Sequence, residues 1–326
     1  MRFNLLFIKI FELRSIVNAS VMQSETPKKI FSSLLVIILD VNPAQDTLLS
    51  GEIKLSSILS SVVAFANSHL MLRTHNKVAV LASDPNSCDF IYSDQDELDF
   101  KKKTVSSCKM GGSQYELFSH IDRSIKFNIM KFLKDAAEEP HMSRDTVFGA
   151  SCAKALCYIN RLQSNLNPGE TMNSRILIIS GCDNEGDKYI RCMNTFFTAQ
   201  KQNVAIDVCS LTHDVTLLKQ ACYITEGSYF RMPKLEGLLL YLQWIFLTEP
   251  SSRKKLVIPL APQLDFRPFC FCHGTLTAIG FVCSLCLTIY CKISPICTTC
   301  EAVFKVRSAI AVKPKKKKIK ATSVNN

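Results

Sequence analysis

The sequence predicts an α/β protein in which a parallel sheet has helices on both faces and a small C-terminal domain binds metal. Strand-like and helix-like segments alternate along residues 28–248, and the strongest strands are continuous apolar runs. Cysteines are concentrated in a short stretch near the C-terminus. A chain of 326 residues is long enough to bury one large core and to carry a small second domain.

The strands and helices can be assigned in order from their hydrophobic patterns. The segment 34–40 is an apolar run that ends in an acid, which is typical of a strand buried on both faces. Further strands are predicted at 77–82, 88–92 (placed at an edge), 175–180, 204–209 and 227–231. Helical spacing predicts helices over 51–72, 115–137, 146–162, a segment ending at 200, 214–221 and 234–246. This alternation predicts parallel strands joined by right-handed crossovers.

The carboxyl ends of the predicted strands are the first places to search for catalytic residues, because functional groups gather there in parallel sheets. Asp40 and Asp183 end two of these strands and could form a paired-carboxylate site. No nucleophile or base lies at a motif spacing from them, and the sequence lacks the glycine-rich motifs of nucleotide-binding loops. The sequence therefore favours a protein without catalytic activity.

The C-terminal cysteines predict a zinc site. Two C-x-x-C units and three further cysteines stand beside His273, and a two-residue gap lets one turn present two thiolates to one ion. We expect one or two zinc ions to supply much of the folding energy of so short a segment. A disulfide cluster is the alternative, but the other cysteines lie largely in apolar segments, as in a reducing compartment. The predicted ligands are Cys270, Cys272, Cys283, Cys286, Cys291, Cys297 and Cys300.

Two groupings of these ligands fit the spacing. In a cross-brace, Cys283 and Cys286 share one ion with Cys297 and Cys300, and the remaining cysteines with His273 contribute to a second site. In a sequential finger, the first two cysteines pair with Cys283 and Cys286. The cross-brace is favoured because it keeps the two C-x-x-C units together.

The two ends of the chain differ from the rest in composition. The net charge is +11, and the segment 313–320 carries six lysines in eight positions, which suits a nuclear import signal, loose phosphate contact or a solubilising tail. Lys9, Glu12 and Arg14 interrupt the apolar start of the chain, so residues 1–27 fit a disordered extension or an upstream start better than a secretory signal. We find no run of about 20 apolar residues and expect no membrane span.

The predicted sheet resembles a von Willebrand A domain. A buried strand ending at Asp40, a long helix after it and a later strand ending before Asp183 carry the resemblance. That family binds a divalent cation through D-x-S-x-S, a threonine and an acid of the later strand. Here Asn42 and Ala44 replace both serines, so we expect no divalent cation at the site around Asp40.

The order of segments carries a more specific resemblance. A von Willebrand A-like domain, a short linker, the cysteine-rich segment and a lysine tail are similar to the family of small von Willebrand A subunits of the general transcription and repair factor TFIIH. The resemblance implies a non-enzymatic core subunit that acts in the nucleus in RNA polymerase II initiation and nucleotide excision repair. It also implies tight pairing with the larger von Willebrand A/RING subunit. The expected boundaries are 28–248 for the sheet domain, 249–266 for the linker, 267–306 for the zinc finger and 307–326 for the tail.

The composition of the finger favours docking on protein over binding of nucleic acid. Few basic residues are interleaved with its apolar ones (Lys292, Lys305 and Arg307), so we expect no sequence-specific contact with nucleic acid. A RING-type ubiquitin ligase with a regulatory von Willebrand A domain is the alternative function. It needs eight metal ligands, and a third ligand pair is not evident in the sequence.

Overall fold

The computed structural model describes residues 30–42, 54–73, 75–93, 95–96, 98, 114–138, 148–167, 170–182, 189–253, 255–257, 264, 267–268, 270–273, 275–286 and 288–303. The chain divides into two compact units, residues 1–266 and 267–326. The expected N-terminal extension, the lysine tail, Ala44 and Asp183 lie outside the described residues.

The large unit is built on a six-stranded sheet in the order β3-β2-β1-β4-β5-β6. The strands are β1 (Ile30–Asp40), β2 (Lys77–Ser83), β3 (Cys88–Tyr92), β4 (Thr171–Ser180), β5 (Ala205–Ser210) and β6 (Tyr229–Arg231). Neighbouring strands from β2 across to β6 are parallel. The predicted parallel α/β architecture is therefore confirmed for five of the six strands.

Strand β3 departs from the predicted parallel arrangement. It lies at the edge of the sheet, as expected, but pairs antiparallel to β2. Only residues 84–87 separate the two strands. A parallel pair needs a crossover of a dozen or more residues, and such a short connection can form only a hairpin.

The helices cover both faces of the sheet. The main ones are α1 (Leu55–Leu72), α2 (Gln114–Glu138), α3 (Phe148–Ser164), α4 (Tyr189–Lys201) and α5 (Thr216–Thr225). A closing helix follows β6, with a 3-10 turn (Leu235–Gly237), an α-helical turn α6 (Leu238–Tyr241) and a π-helical turn (Leu242–Phe246), before a last short helix α7 (Pro250–Arg253).

The core has two layers because successive residues of a strand point to opposite faces of the sheet. On one face Leu35, Ile37 and Leu39 of β1 pack with α1, α2 and the closing helix. On the other face Leu34, Val36 and Ile38 pack with α3, α4 and α5. A strand with apolar residues in every position is therefore buried on both sides, as the pattern predicted.

Helix α1 is long and apolar enough to cross a membrane by length and composition alone, with a mean hydropathy of 1.4. Its burial gives another reason for that composition. Ile58, Val62 and Phe65 belong to the core layer against β1 and β2. A helix that fills the centre of a large sheet face must be apolar over much of its circumference.

Two buried arginines fix the end of the large unit to the sheet. Arg175 of β4 donates hydrogen bonds to the carbonyls of residues 246, 247 and 248, at the C-terminus of the closing helix. A cation at this position compensates the negative end of the helix dipole. Arg253 of α7 forms a two-pronged ion pair with Asp207 of β5, with N–O distances of 2.6 and 2.7 Å.

Candidate metal centre

Among its described residues, the C-terminal unit has very little apolar core. A short hairpin joins β7 (Phe281–Val282) to β8 (Ile289–Tyr290), and the buried cluster consists of Cys283, Tyr290 and Cys297. Two of its three members are predicted metal ligands. Hydrophobic burial on this scale cannot hold a unit of this size, so its order must come from elsewhere.

The structure brings eight candidate ligands together in two groups. Cys283, Cys286, Cys297 and Cys300 form one group, named here the four-thiol cluster. Cys270, Cys272, His273 and Cys291 form the other, named the mixed cluster. Within each group all ligand atoms lie within 4.8 Å of one another. The grouping is the cross-braced one, because Cys283 and Cys286 lie between the members of the mixed cluster in the sequence.

Tight turns position the thiols. The amide of Cys283 donates to the carbonyl of Thr288, and the amide of Cys297 donates to that of Ala302, each at 2.9 Å. Each turn brings the side chains of a C-x-x-C unit to the same side. Glu301, which follows the second unit, has a left-handed φ of 59° that lets the chain turn back.

The distances in the four-thiol cluster fit a tetrahedral zinc site. The Sγ atoms of Cys283 and Cys300 are 3.6 Å apart, and those of Cys286 and Cys297 are 3.5 Å apart. Zinc–sulfur bonds of about 2.3 Å in a tetrahedron place neighbouring sulfurs about 3.8 Å apart. A disulfide would need about 2.05 Å. The spacing therefore suits four ligands of one ion and is too long for disulfide bonds.

The mixed cluster has a similar geometry with one nitrogen ligand. His273 Nδ1 lies 3.3 Å from Cys291 Sγ and 3.8 Å from Cys270 Sγ, and the Sγ atoms of Cys272 and Cys291 are 3.5 Å apart. Three sulfurs and one imidazole are a known donor set for zinc. His273 supplies the fourth donor, so this cluster holds a full set of four.

Hydroxyl groups support the four-thiol cluster from outside. The hydroxyl of Tyr290 lies 3.2 Å from Cys297 Sγ and is the largest cause of the lowered pKa of that thiol, about 5, to which backbone amides and Thr288 also contribute. The Thr288 hydroxyl lies 3.0 Å from Cys286 Sγ and lowers the pKa of this thiol as well. Such contacts favour the thiolate, which is the form that binds metal. Sequence reasoning missed both roles, and only the position of these residues within the finger could have suggested them.

At the carboxyl edge of the large sheet, Asp40 is buried and bonded to the backbone. One carboxylate oxygen accepts the amide of Asn42 and the other accepts the amide of Gly181, each at 3.2 Å. A carboxylate held in this way links the ends of β1 and β4. Asp183, the other acid predicted at a strand end, lies outside the described residues.

Millimolar magnesium or calcium is expected to leave the melting temperature of the protein unchanged. We expect this because Asn42 and Ala44 stand in place of two hydroxyl ligands. In addition, both carboxylate oxygens of Asp40 already accept hydrogen bonds from backbone amides. A ligand that does not bind the native state cannot stabilise it. Thermal unfolding with and without each ion checks this. A rise that disappears in Asp40→Ala but persists in Asp89→Ala, a change at an exposed acid, would contradict it.

The sheet order, the antiparallel edge strand and Asp40 at the end of the first strand define the large unit as a von Willebrand A-like domain. The protein is thus of the class that joins such a domain to a cysteine-rich module.

Comparison with known proteins identifies the family. The model of the transcription factor Tfb4 family matches residues 32–301. The general transcription and DNA repair factor IIH subunit tfb4 of Schizosaccharomyces pombe is 36% identical over 274 residues, which cover 84% of this chain and 89% of that protein. The TFB4 subunit of Arabidopsis thaliana is 34% identical over 298 residues, with 89% and 96% covered. The chain belongs to the Tfb4 family.

A solved structure agrees with this assignment. The crystal structure of the TFIIH p34 N-terminal domain is 30% identical to this chain, with a TM-score of 0.56. The match covers 68% of this chain and 100% of that domain. The likeness supports both the fold and the family.

Proposed function

We propose that this chain is a non-catalytic structural subunit of the TFIIH core, which acts in the nucleus in RNA polymerase II initiation and nucleotide excision repair. Membership of the Tfb4 family carries this proposal. The small von Willebrand A subunit would hold the larger von Willebrand A/RING subunit through protein–protein contacts. The engaged carboxylate of Asp40 also favours a structural role for the strand ends over a catalytic one.

Zinc is the metal that fits the C-terminal unit best, and we infer that both clusters bind it. All eight donors are thiols or imidazole, which borderline and soft metals prefer, and the sulfur spacing matches a tetrahedron. Bound zinc would cross-link segments of the C-terminal unit that are distant in sequence, and it would supply stability that the small apolar core does not. The thiolates and the imidazole of this chain would hold the ions, and the hydroxyls of Tyr290 and Thr288 would orient the thiolates of Cys297 and Cys286.

Exposed apolar side chains supply the surface for partner contacts. In the C-terminal unit the strongly exposed ones include Ile279, Leu285, Ile293, Ile296 and Val303. Where such side chains form a contiguous patch, they typically mark a protein interface. In the large unit Leu240 and Trp244 lie one turn apart on the closing helix and are 56% and 76% exposed. Each unit therefore offers a surface that suits a protein partner.

Co-purification tests the proposed role. Expressed alone, the chain is expected to associate or to be poorly soluble, because obligate interfaces are large and apolar. Co-expression with the larger von Willebrand A/RING subunit should rescue it. Disrupting the finger with Cys283→Ser should weaken that pairing more than deleting 313–320, which should chiefly reduce nuclear import. A finger variant that pairs normally, beside a tail deletion that abolishes pairing, would overturn this assignment of roles.

The alternative of a ubiquitin ligase has one observation in its favour. With His273, the structure brings eight donors together, where the sequence alone showed no third ligand pair. Their order differs from a RING, in which ligand pairs alternate between two sites. Here residues 270, 272 and 273 belong to one cluster, and 291 returns to it alone. We therefore expect no ubiquitin transfer in a reconstituted assay.

A further inference from the structure

The two clusters differ in their exposure to solvent. In the four-thiol cluster Cys283 and Cys297 are buried, Cys286 is half-buried and Cys300 is exposed. In the mixed cluster only Cys270 is buried, whereas Cys272 and His273 are exposed and Cys291 is half-buried. In the mixed cluster the close pair Cys272 and Cys291 is therefore accessible to a dissolved reagent at both sulfurs, whereas the exposed Cys300 lies 3.6 Å from a buried partner, Cys283.

The clusters also differ in where their hydrogen-bond donors point. In the four-thiol cluster the hydroxyls of Thr288 and Tyr290 contact Cys286 and Cys297. In the mixed cluster the amides of Cys272 and Cys291 both donate to Cys270, at 3.4 and 3.2 Å. A sulfur that accepts hydrogen bonds is a weaker nucleophile. The protected sulfur of this cluster is thus the one that is already buried.

The exposed pair is close enough for its two sulfurs to form a bond. The Sγ atoms of Cys272 and Cys291 lie 3.5 Å apart. A disulfide of about 2.05 Å requires an approach of about 1.5 Å. Loss of an ion from between them would remove the obstacle to this approach.

We propose that the mixed cluster is an oxidation-sensitive metal site, in which a peroxide joins Cys272 to Cys291 and releases one zinc ion while the four-thiol cluster keeps its own. This inference rests on the zinc binding proposed above. It adds a modification site, at two named cysteines, to a module that otherwise has a structural role.

The chemistry is a two-electron oxidation of two thiolates. The Cys272 thiolate attacks hydrogen peroxide, the O–O bond breaks, and a sulfenic acid and hydroxide result. The Cys291 thiolate then attacks that sulfur, the S–S bond forms, and a second hydroxide leaves. The peroxide gains the two electrons that the thiolates lose. Cys270 and His273 alone remain as ligands and cannot hold the ion.

The oxidised unit is expected to keep its fold. Residues 270–273 rest on β8 through a hydrogen bond from the Phe271 amide to the Ile289 carbonyl, at 2.8 Å. The new disulfide would retain this attachment covalently, and the four-thiol cluster would still hold the hairpin. Reduction by a dithiol in the presence of zinc should therefore restore the original site.

Zinc release from the full-length chain tests the proposal. The chain, purified with zinc and freed of reductant, is treated with a small excess of hydrogen peroxide beside a chromogenic zinc chelator. We expect two ions per chain before treatment and rapid release of one. Peptide mass spectrometry should then find a disulfide between Cys272 and Cys291, and dithiothreitol with zinc should reverse the change.

Variants separate the two clusters. Cys291→Ser should hold one ion and release none at the same peroxide dose, with Cys272 trapped by a reagent for sulfenic acids. Tyr290→Phe removes the hydroxyl from Cys297 and should speed release of the second ion several-fold. Cys157→Ser, a change at an exposed cysteine outside both clusters, should behave as the wild type.

Three results would overturn the inference even if the chain binds zinc and releases it on oxidation or holds fewer ions than expected. They are a single ion in the untreated chain, release of both ions at one rate, or a disulfide within the four-thiol cluster. A chain that binds no zinc at all would overturn the zinc proposal as well. Two ions that both resist peroxide would remove only the inference about oxidation.

Discussion

Replacing Cys283 by serine is expected to strip the C-terminal unit of both zinc ions and of its ordered structure. Cys283 belongs to the four-thiol cluster and is one of three residues in the small buried cluster of the unit. Structural zinc contributes roughly 10–16 kcal/mol of apparent binding energy in comparable modules, far more than this cluster can bury. Without the four-thiol cluster the hairpin that carries Cys291 has nothing to hold it. The mixed cluster should then be lost too.

The large unit should survive this change. Its two core layers consist of residues before 247 and include none from the C-terminal unit. Metal analysis, thermal unfolding and limited proteolysis check the prediction, with Cys157→Ser as the matched control. Undiminished zinc in Cys283→Ser, or simultaneous melting of both units, would contradict it.

Replacing Arg253 by alanine is expected to destabilise the large unit by about 3–5 kcal/mol. The side chains of Arg253 and Asp207 are only 6% and 1% exposed, so the change leaves a buried carboxylate without its cation. Arg253 also donates to the Thr248 carbonyl and to the Ser228 hydroxyl, at 3.0 and 3.2 Å. Arg253→Lys keeps the positive charge but cannot form both hydrogen bonds to the Asp207 carboxylate at once, so we expect it to lose less stability than Arg253→Ala but more than none.

Arg231→Ala is the control for this ion pair. Arg231 faces Asp214 at 3.8 Å with side chains 55% and 41% exposed, and exposed pairs contribute about 0–1 kcal/mol. Denaturant unfolding of the three variants ranks them directly. Equal losses in Arg253→Ala and Arg231→Ala would show that the buried pair has no special role.

The sequence predicts the sheet well because a strand that is buried on both faces is a continuous run of apolar residues, which is easy to recognise. The run at 34–40 could form only a central strand, and β1 is indeed flanked by β2 and β4. The antiparallel direction of β3 was not predicted, because an apolar pattern does not report strand direction. The length of the connection at 84–87 did contain that information. Helix ends differ from the prediction by a few residues, as at Leu55, where the apolar spacing begins earlier than the helix.

The buried arginines show what a local pattern cannot reveal. Arg175 follows polar residues at the start of a predicted strand, and Arg253 follows two serines. Both positions are typical of a surface, yet Arg175 is 1% exposed. Their partners are carbonyls and a carboxylate, most of them distant in sequence. Only the packing of the closing helix on the sheet brings them together.

In the candidate site, the sequence indicates the residue types and favours the cross-braced grouping that the structure has, but it does not reveal the hydroxyl groups that support the thiols. The C-x-x-C spacing alone indicates that Cys283 and Cys286 share an ion, because one turn presents both. Cys291 follows β8 directly, so its position beside residues 270–273 in the mixed cluster depends on how β7 and β8 pair. The same holds for Tyr290, whose hydroxyl reaches Cys297 because β8 directs it there.

The two buried arginines also determine how the protein responds to mechanical load. A force applied to the chain beyond residue 253 would first load the ion pair between Arg253 and Asp207. It would then load the hydrogen bonds from Arg175 to the carbonyls at the end of the closing helix. These anchors belong to β5 and β4, which are paired directly at Leu177 and Asp207. Tension would therefore be shared by two interior strands instead of unwinding the closing helix from its end.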